Sequence, residues 1–315
     1  MPQDRVSIII AAYNEGENLV DTVRCLLHNT SGVVLEIVVV DDASTDASGR
    51  RVGELFAADG RVSVVRSTGL GITQARNLGA SAASGDIYIF LDGHCYAPPG
   101  WLPLLIEPLR AAQVGMVGPA FADLQHQTHV RGLGVTWRNA SLDMVWLPQQ
   151  ATTPYAVPLL PGGCDAMRRQ VFTALGGYDA GLTRWGSVGQ ELSLRTWLMG
   201  YEVVVQPQVS IYHLFRARHP YPVSARNILY NRLRMALLHL GQERAIAVLQ
   251  HYAGTPDFAA VVYGLLQSDV MLQRQRLQAL RQRDDTWFFS RFAPWLWAAS
   301  DTPESVSGSS VSDSG

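Results

Sequence analysis

Along the first hundred residues the apolar positions switch between two periods. VSIIIAAY (6–13), LEIVVVDD (35–42), VSVVRS (62–67) and DIYIFLD (86–92) are short β-branched runs. The stretches between them have helical spacing, and Leu19, Val23, Leu26 and Leu27 share one face of a helix predicted over residues 18–28. This alternation predicts an α/β fold, a parallel sheet with helices on both faces. Such sheets bind ligands beyond the carboxyl ends of their strands. Those ends carry Tyr13, Asn14 and Glu15, then Asp41 and Asp42, then Asp92 and His94.

From Gly115 to His213 the pattern is mixed. VGMVGPAF reads as a strand, a loop-rich interval follows, a helix is expected over 190–199, and EVVVQPQVSIYH is a final strand. Residues 225–285 look helical throughout, and no internal repeat is evident. The sixteen residues from Ser300 are rich in Ser, Gly, Asp and Pro, the composition of a disordered tail. The expected division is therefore an α/β domain over 1–224, a helical extension packed on it over 225–299, and a tail over 300–315.

Composition narrows the chemistry. Apolar residues make up 47% of the 315 positions, enough for a sizeable core. Only 17% are charged, and 25 basic against 27 acidic side chains leave a formal charge of −2, so nothing global favours nucleic acid. Every basic residue is arginine, which excludes Schiff-base and P-loop lysine mechanisms. Cys25, Cys95 and Cys164 are odd in number and form no CxxC pair, as expected of a reducing, cytoplasmic setting. MPQDRVSIII does not read as a secretory signal. The longest apolar stretches, 258–266 and 292–299, fall short of the ~20 residues that span a bilayer. The aromatic segment 287–297 reads as a buried closing segment, with peripheral membrane contact as the alternative.

The sharpest local feature is FLDGHC (90–95), an apolar strand ending in Asp92 and His94 with one glycine between them. In extended backbone, positions i and i+2 project to the same side, so a carboxylate and an imidazole can meet one divalent ion. The other reading is a strand-end turn with Asp92 on backbone amides and His94 exposed. Neither GxxxxGK nor a GxGxxG after the first strand is present; TGLG (68–71) is followed instead by Arg76 and Asn77. GxSxG and HExxH are also missing, which argues against an elbow serine hydrolase and a zincin.

Several blocks together resemble the family-2-type glycosyltransferases with the GT-A nucleotide-diphospho-sugar transferase fold. VSIIIAAYNE, IVVVDDASTD, ARNLGA with SGDIYIFLD, and PGGCDAMRR follow that family's motifs in order. Longer blocks, LDGHC with GWLPLL, WGSVGQELSLRTWLMGY and YHLFRARHPY, are similar to the catalytic domain of polypeptide N-acetylgalactosaminyltransferases and their bacterial relatives. The similarity covers about residues 5–235.

The resemblance implies a mixed, mostly parallel sheet with a C-terminal helical extension. It also implies transfer of a sugar from a UDP-sugar to an acceptor hydroxyl, on a peptide first and a glycan second, with Mn2+ or Mg2+. Ala11, Tyr13 and Glu15 would line the uridine pocket and Asp42 would accept a hydrogen bond from uracil. Gly71, Gly93 and Trp185 would belong to the donor site, with Arg76 near the ribose and diphosphate. Asp92, His94 and His213 match three metal ligands. Arg216, His219 and Tyr221 match positions that close over the diphosphate, within a lid expected over 216–225.

The departure is at Val188 and Gly189, where relatives usually carry an acidic residue followed by Asp or Asn. Gly189 cannot be the general base of an inverting reaction. Glu191 is the remaining nearby carboxylate, either that base or a structural acid bonded to Arg195 or backbone amides. Retention by same-face attack is the expectation when no base is present. The rival is a degenerate nucleotide-sugar-binding protein. A nucleotidyltransferase would show a glycine-rich activating loop near the first strand.

Overall fold

The computed structural model describes residues 4–126, 130–216 and 223–297. The first half is the expected alternation: β1 (Arg5–Ala12), α1 (Glu17–Asn29), β2 (Val34–Asp41), α2 (Ser48–Leu55), β3 (Val62–Arg66), α3 (Ile72–Ala82), β4 (Ile87–Asp92), β5 (Cys95–Tyr96), α4 (Trp101–Ile106) and β6 (Val114–Asp123). Five short or inserted strands follow, β7 (Val130–Gly132), β8 (Val135–Trp137), β9 (Met144–Trp146), β10 (Tyr155–Ala156) and β11 (Cys164–Arg168). Next come α5 (Arg169–Leu175), α6 (Val188–Leu198) and β12 (Glu202–His213). The chain continues through α7 (Ala225–His239), α8 (Gln242–Tyr252), α9 (Phe258–Leu266), α10 (Val270–Leu280) and α11 (Asp285–Phe292).

The main sheet runs β10-β12-β6-β11-β4-β1-β2-β3. β3, β2, β1 and β4 are parallel, as are β6 and β12, while β11 lies antiparallel between β4 and β6. Period-2 alternation in β1 sends its side chains to two separate cores. Ile8 and Ile10 join α1, Val52 and the α4 residues Trp101 and Leu102 on one face; Ile9 joins α3, α5, α6 and the C-terminal helices on the other. Each fully buried Ile, Val or Leu contributes about 1.5–3 kcal/mol. In α1, Leu19, Val23 and Leu26 are buried, whereas Leu27 sits at the edge.

The C-terminal helices share the second core, through Leu229, Leu233 and Ala236 of α7 and Phe288 and Phe289 of α11. The aromatic segment thus closes that core, Trp287 lying 5.7 Å from Trp197 between ring centroids, although Trp295 is exposed. The tail expected over 300–315 lies outside the described residues. Among the described residues no helix is long and apolar enough to cross a membrane.

Candidate active site

A cavity of about 990 Å³ opens beyond the carboxyl ends of β1, β2 and β4. Of the anticipated site residues, Ala11, Tyr13, Glu15, Asp42, Gly71, Arg76, Asp92, Gly93, His94, Trp185, His213 and Arg216 all line it. Glu191 does not, and His219 and Tyr221, with most of the expected lid, lie outside the described residues.

The metal corner is assembled by strand register. β4 ends at Asp92, the chain turns through Gly93 and His94, and β5 pairs antiparallel with β12 so that His213 lies opposite Cys95. One ligand atom from each of Asp92, His94 and His213 falls within 4.8 Å of the others. His213 Nε2 stands 3.6 Å from Asp92 Oδ2, too long for a good hydrogen bond and a spacing that two ligands of one cation can have. Glu15 Oε2 lies 3.1 Å from His94 Nδ1 and accepts from Arg216, which leaves His94 Nε2 free as a ligand. Burial depresses the His213 pKa, favouring the neutral imidazole that a metal requires, and its Nδ1 is buried with no hydrogen-bond partner. Burial opposes charge on Asp92, but His213 and Arg76 outweigh it and hold the carboxyl at about 2. One carboxylate and two imidazoles fit a divalent transition metal.

Several side chains sit differently from what the sequence led us to expect. Glu15 is committed to His94 and Arg216; burial raises its pKa, but those two partners bring the net value below normal. Asp42 accepts from Ser67, from Leu70 N at 2.7 Å and from Gly71 N at 2.8 Å, so much of its carboxylate already holds the 67–71 loop. Arg76 is buried, and its Nη2 donates to Asp92 Oδ1 and Gly162 O, both at 2.8 Å; it fixes the metal corner rather than standing free in the cavity.

Glu191 requires the largest correction. Its carboxylate is fully buried, accepting from Arg195 Nε at 2.9 Å and Nη2 at 2.7 Å, with His239 Nε2 at 2.8 Å. Despite burial, Arg195 and His239 keep its pKa at about 2. The structural reading of this residue holds, because an acid sealed in this way meets no acceptor hydroxyl. Gly189 is equally constrained: a Cβ there would lie 2.5 Å from the Gly162 Cα, so two backbones meet at this glycine.

Sequence reasoning missed contributions from segments far apart in the chain. Ile228 and Arg232 of α7 line the cavity, Arg232 pairing with Asp143 at 2.7 Å. Asn231, also on α7, takes Thr183 N at 2.7 Å on its Oδ1 and donates Nδ2 to the carbonyls of Thr183, Trp185 and Gly186, clasping the Trp185 loop. Asp165 of β11 is buried with neither oxygen hydrogen-bonded, and burial pushes its pKa up to about 7. A fully buried carboxyl inside a strand has no local sequence signature.

Residues 7–176 match Glycosyl transferase family 2. The chain belongs to that family. Polypeptide N-acetylgalactosaminyltransferase 11 of Xenopus tropicalis is 29% identical over 311 residues, which cover 91% of this chain and 50% of the relative. The probable N-acetylgalactosaminyltransferase 8 of Caenorhabditis elegans is 28% identical over 312 residues, 92% of this chain and 72% of the relative. The chain thus spans about half the length of several curated relatives it matches. Among solved structures, GalNAc-T7 with UDP, GalNAc and Mn2+ superposes with a TM-score of 0.79 at 25% identity, over 93% of this chain and 57% of that one. A mannosyltransferase from Pyrobaculum calidifontis in complex with GDP-Man and Mn2+ shares the fold at a TM-score of 0.52 and 20% identity, over 89% and 86% of the two chains. The fold of this family-2 glycosyltransferase is therefore GT-A, as anticipated, with the helical extension added.

Proposed function

We propose that this chain transfers a sugar from a UDP-sugar to an acceptor hydroxyl, with Asp92, His94 and His213 holding a divalent cation, Mn2+ first. The observation that carries this reading is the convergence of those three side chains where β4 and β12 end, inside the nucleotide-sized cavity. The likeness to GalNAc-T7, solved with UDP, GalNAc and Mn2+, supports it. A cation bound there would supply positive charge to diphosphate oxygens. Arg76 holds the Asp92 carboxylate in place, Glu15 sets His94 and Arg216, and Arg216 faces the space where negative charge grows as the diphosphate departs.

A peptide Ser or Thr hydroxyl is the acceptor we favour, by likeness to the relatives, and a glycan is second. We favour retention of anomeric configuration, a reading supported by the disposition of the acids among the described residues. Glu191 is sealed, Asp42 holds its loop, and the cavity-lining Asp143 is a weak base because Ser141 and Arg232 lower its pKa. The accompanying location is cytoplasmic, supported by three free thiols. The test is a UDP-sugar panel scored by UDP release with Mn2+ and with chelator. Release that stops on chelation supports the reading. Tight UDP binding without release from any donor would make the chain a binding module instead.

A further inference from the structure

At the α6 end of the cavity Val188 and Gly189 offer no polar side-chain group, and the next residue supplies one. Gln190 lines the cavity, and its Oε1 accepts from Trp137 Nε1 at 2.6 Å. Trp137 is buried and its indole N–H is a donor with no acceptor capacity, so turning the amide over would leave two hydrogen-bond donors facing each other. The amide is therefore held one way round. Its NH2 end makes no hydrogen bond among the described residues and presents two donors to the cavity. No carboxylate lies between Arg184 and Gln190, and Arg184 lines the same cavity without an ion-pair partner among the described residues. This wall donates.

Its distance from the metal corner identifies what it faces. A Cβ on Gly163 would lie 3.5 Å from Asp92 Oδ2, and one on Gly162 would lie 3.1 Å from Gly189. Two glycines thus separate Asp92 from the first turn of α6. If the diphosphate lies at Asp92, ribose is bonded to one side of it and the sugar to the other; with uridine toward Ala11, Tyr13 and Asp42 at the ends of β1 and β2, the α6 wall is on the sugar side. Resting on the nucleotide-sugar reading above, we propose that Gln190, oriented by Trp137, is the sugar-specificity residue. It favours a sugar substituent with a strong acceptor oxygen, an acetamido carbonyl or a carboxylate, over a hydroxyl, whose oxygen accepts more weakly.

The test is calorimetric, on the full chain with Mn2+, using UDP, UDP-glucose, UDP-N-acetylglucosamine and UDP-glucuronate. The last two differ from UDP-glucose at one substituent each, so they separate the carbonyl from the carboxylate. The wild type is expected to bind one of them at least about tenfold more tightly than UDP-glucose. Gln190→Glu keeps an acceptor for Trp137 while replacing the NH2 by oxygen; it should collapse that preference to within about twofold and leave UDP affinity unchanged. Trp137→Phe leaves Gln190 in place but frees its amide to turn, and should weaken the preference severalfold, an independent arm if the first variant folds poorly. UDP binding with no preference in the wild type, or with the same preference in both variants, overturns the Gln190 assignment alone. Failure of UDP itself to bind with Mn2+ overturns the nucleotide-sugar reading as well.

Discussion

Two corners of this molecule are built from the same three kinds of side chain. At one, Asp92 meets Arg76 and His213; at the other, Glu191 meets Arg195 and His239. Both carboxyls are held at about 2 against the cost of burial. The difference lies in what remains unused. Glu191 is 0% exposed and its oxygens are saturated by direct hydrogen bonds, whereas Asp92 is 22% exposed and stands 3.6 Å from its histidine with a second histidine alongside. The same chemistry is a structural lock where it is closed and a ligand site where it is left open. A carboxylate near the right motif is therefore weak evidence of catalysis until its partners are known.

The contrast predicts its largest effect at the lock. Glu191→Gln leaves Arg195 buried without its counter-charge and should cost about 3–5 kcal/mol in urea unfolding, with UDP affinity per folded molecule preserved. A stable variant with 10²- to 10⁴-fold lower turnover would instead return Glu191 to the role of base.

Asp165 sharpens the comparison as the carboxyl that has no partner. Its pKa of about 7 lies above that of the unfolded chain, so its contribution to stability is complete below about pH 4 and is lost as pH rises through 7, by up to about 1.4 kcal/mol per unit. Glu191 behaves oppositely: its contribution is complete above its unfolded value and is lost as pH falls through about 2. Thermal unfolding of Asp165→Asn should accordingly show a stability advantage over the wild type that grows from pH 5 to pH 8. A constant difference across that window would mean the carboxyl titrates normally.

At the open corner, His213→Ala should weaken Mn2+-dependent UDP binding about a hundredfold, about 2.7 kcal/mol, while shifting unfolding much less. UDP affinity that is indifferent to both chelator and substitution would remove the metal from this site. The smallest effect concerns Gly189, where the resemblance led us to expect an acid. Gly189→Asp cannot restore a base, because its Cβ meets the Gly162 backbone; about 1–3 kcal/mol of destabilisation without any gain in turnover is expected. A well-folded and faster variant would show that the backbone yields there.

The strands of the first half were legible because β-branched runs alternate with helical spacing over long windows, and β6, α6 and β12 carried the same signals. β5 and β7 to β10 are two or three residues long and leave no period to read. β11 was hidden because its insertion between β4 and β6 depends on partners more than forty residues away. At the site, Asp92 and His94 were visible from their spacing, and His213 from resemblance. The fate of Glu191 was not visible, since it is decided by His239 in a helix 48 positions on, and Gln190 is turned by a tryptophan 53 positions back. Short-range chemistry is written in local motifs, but which end of a polar group is spare is settled by tertiary neighbours.

The Asn231 clasp bears on how members of this family could be re-engineered. One amide satisfies a backbone N–H and three carbonyls of the loop that carries Trp185, from a helix that begins after the sheet is complete. A chimera exchanging residues 183–190 between family members would place a foreign loop on an unmatched clasp. Loop and α7 form a single cassette, and donor preference should move between relatives only when both are transplanted together.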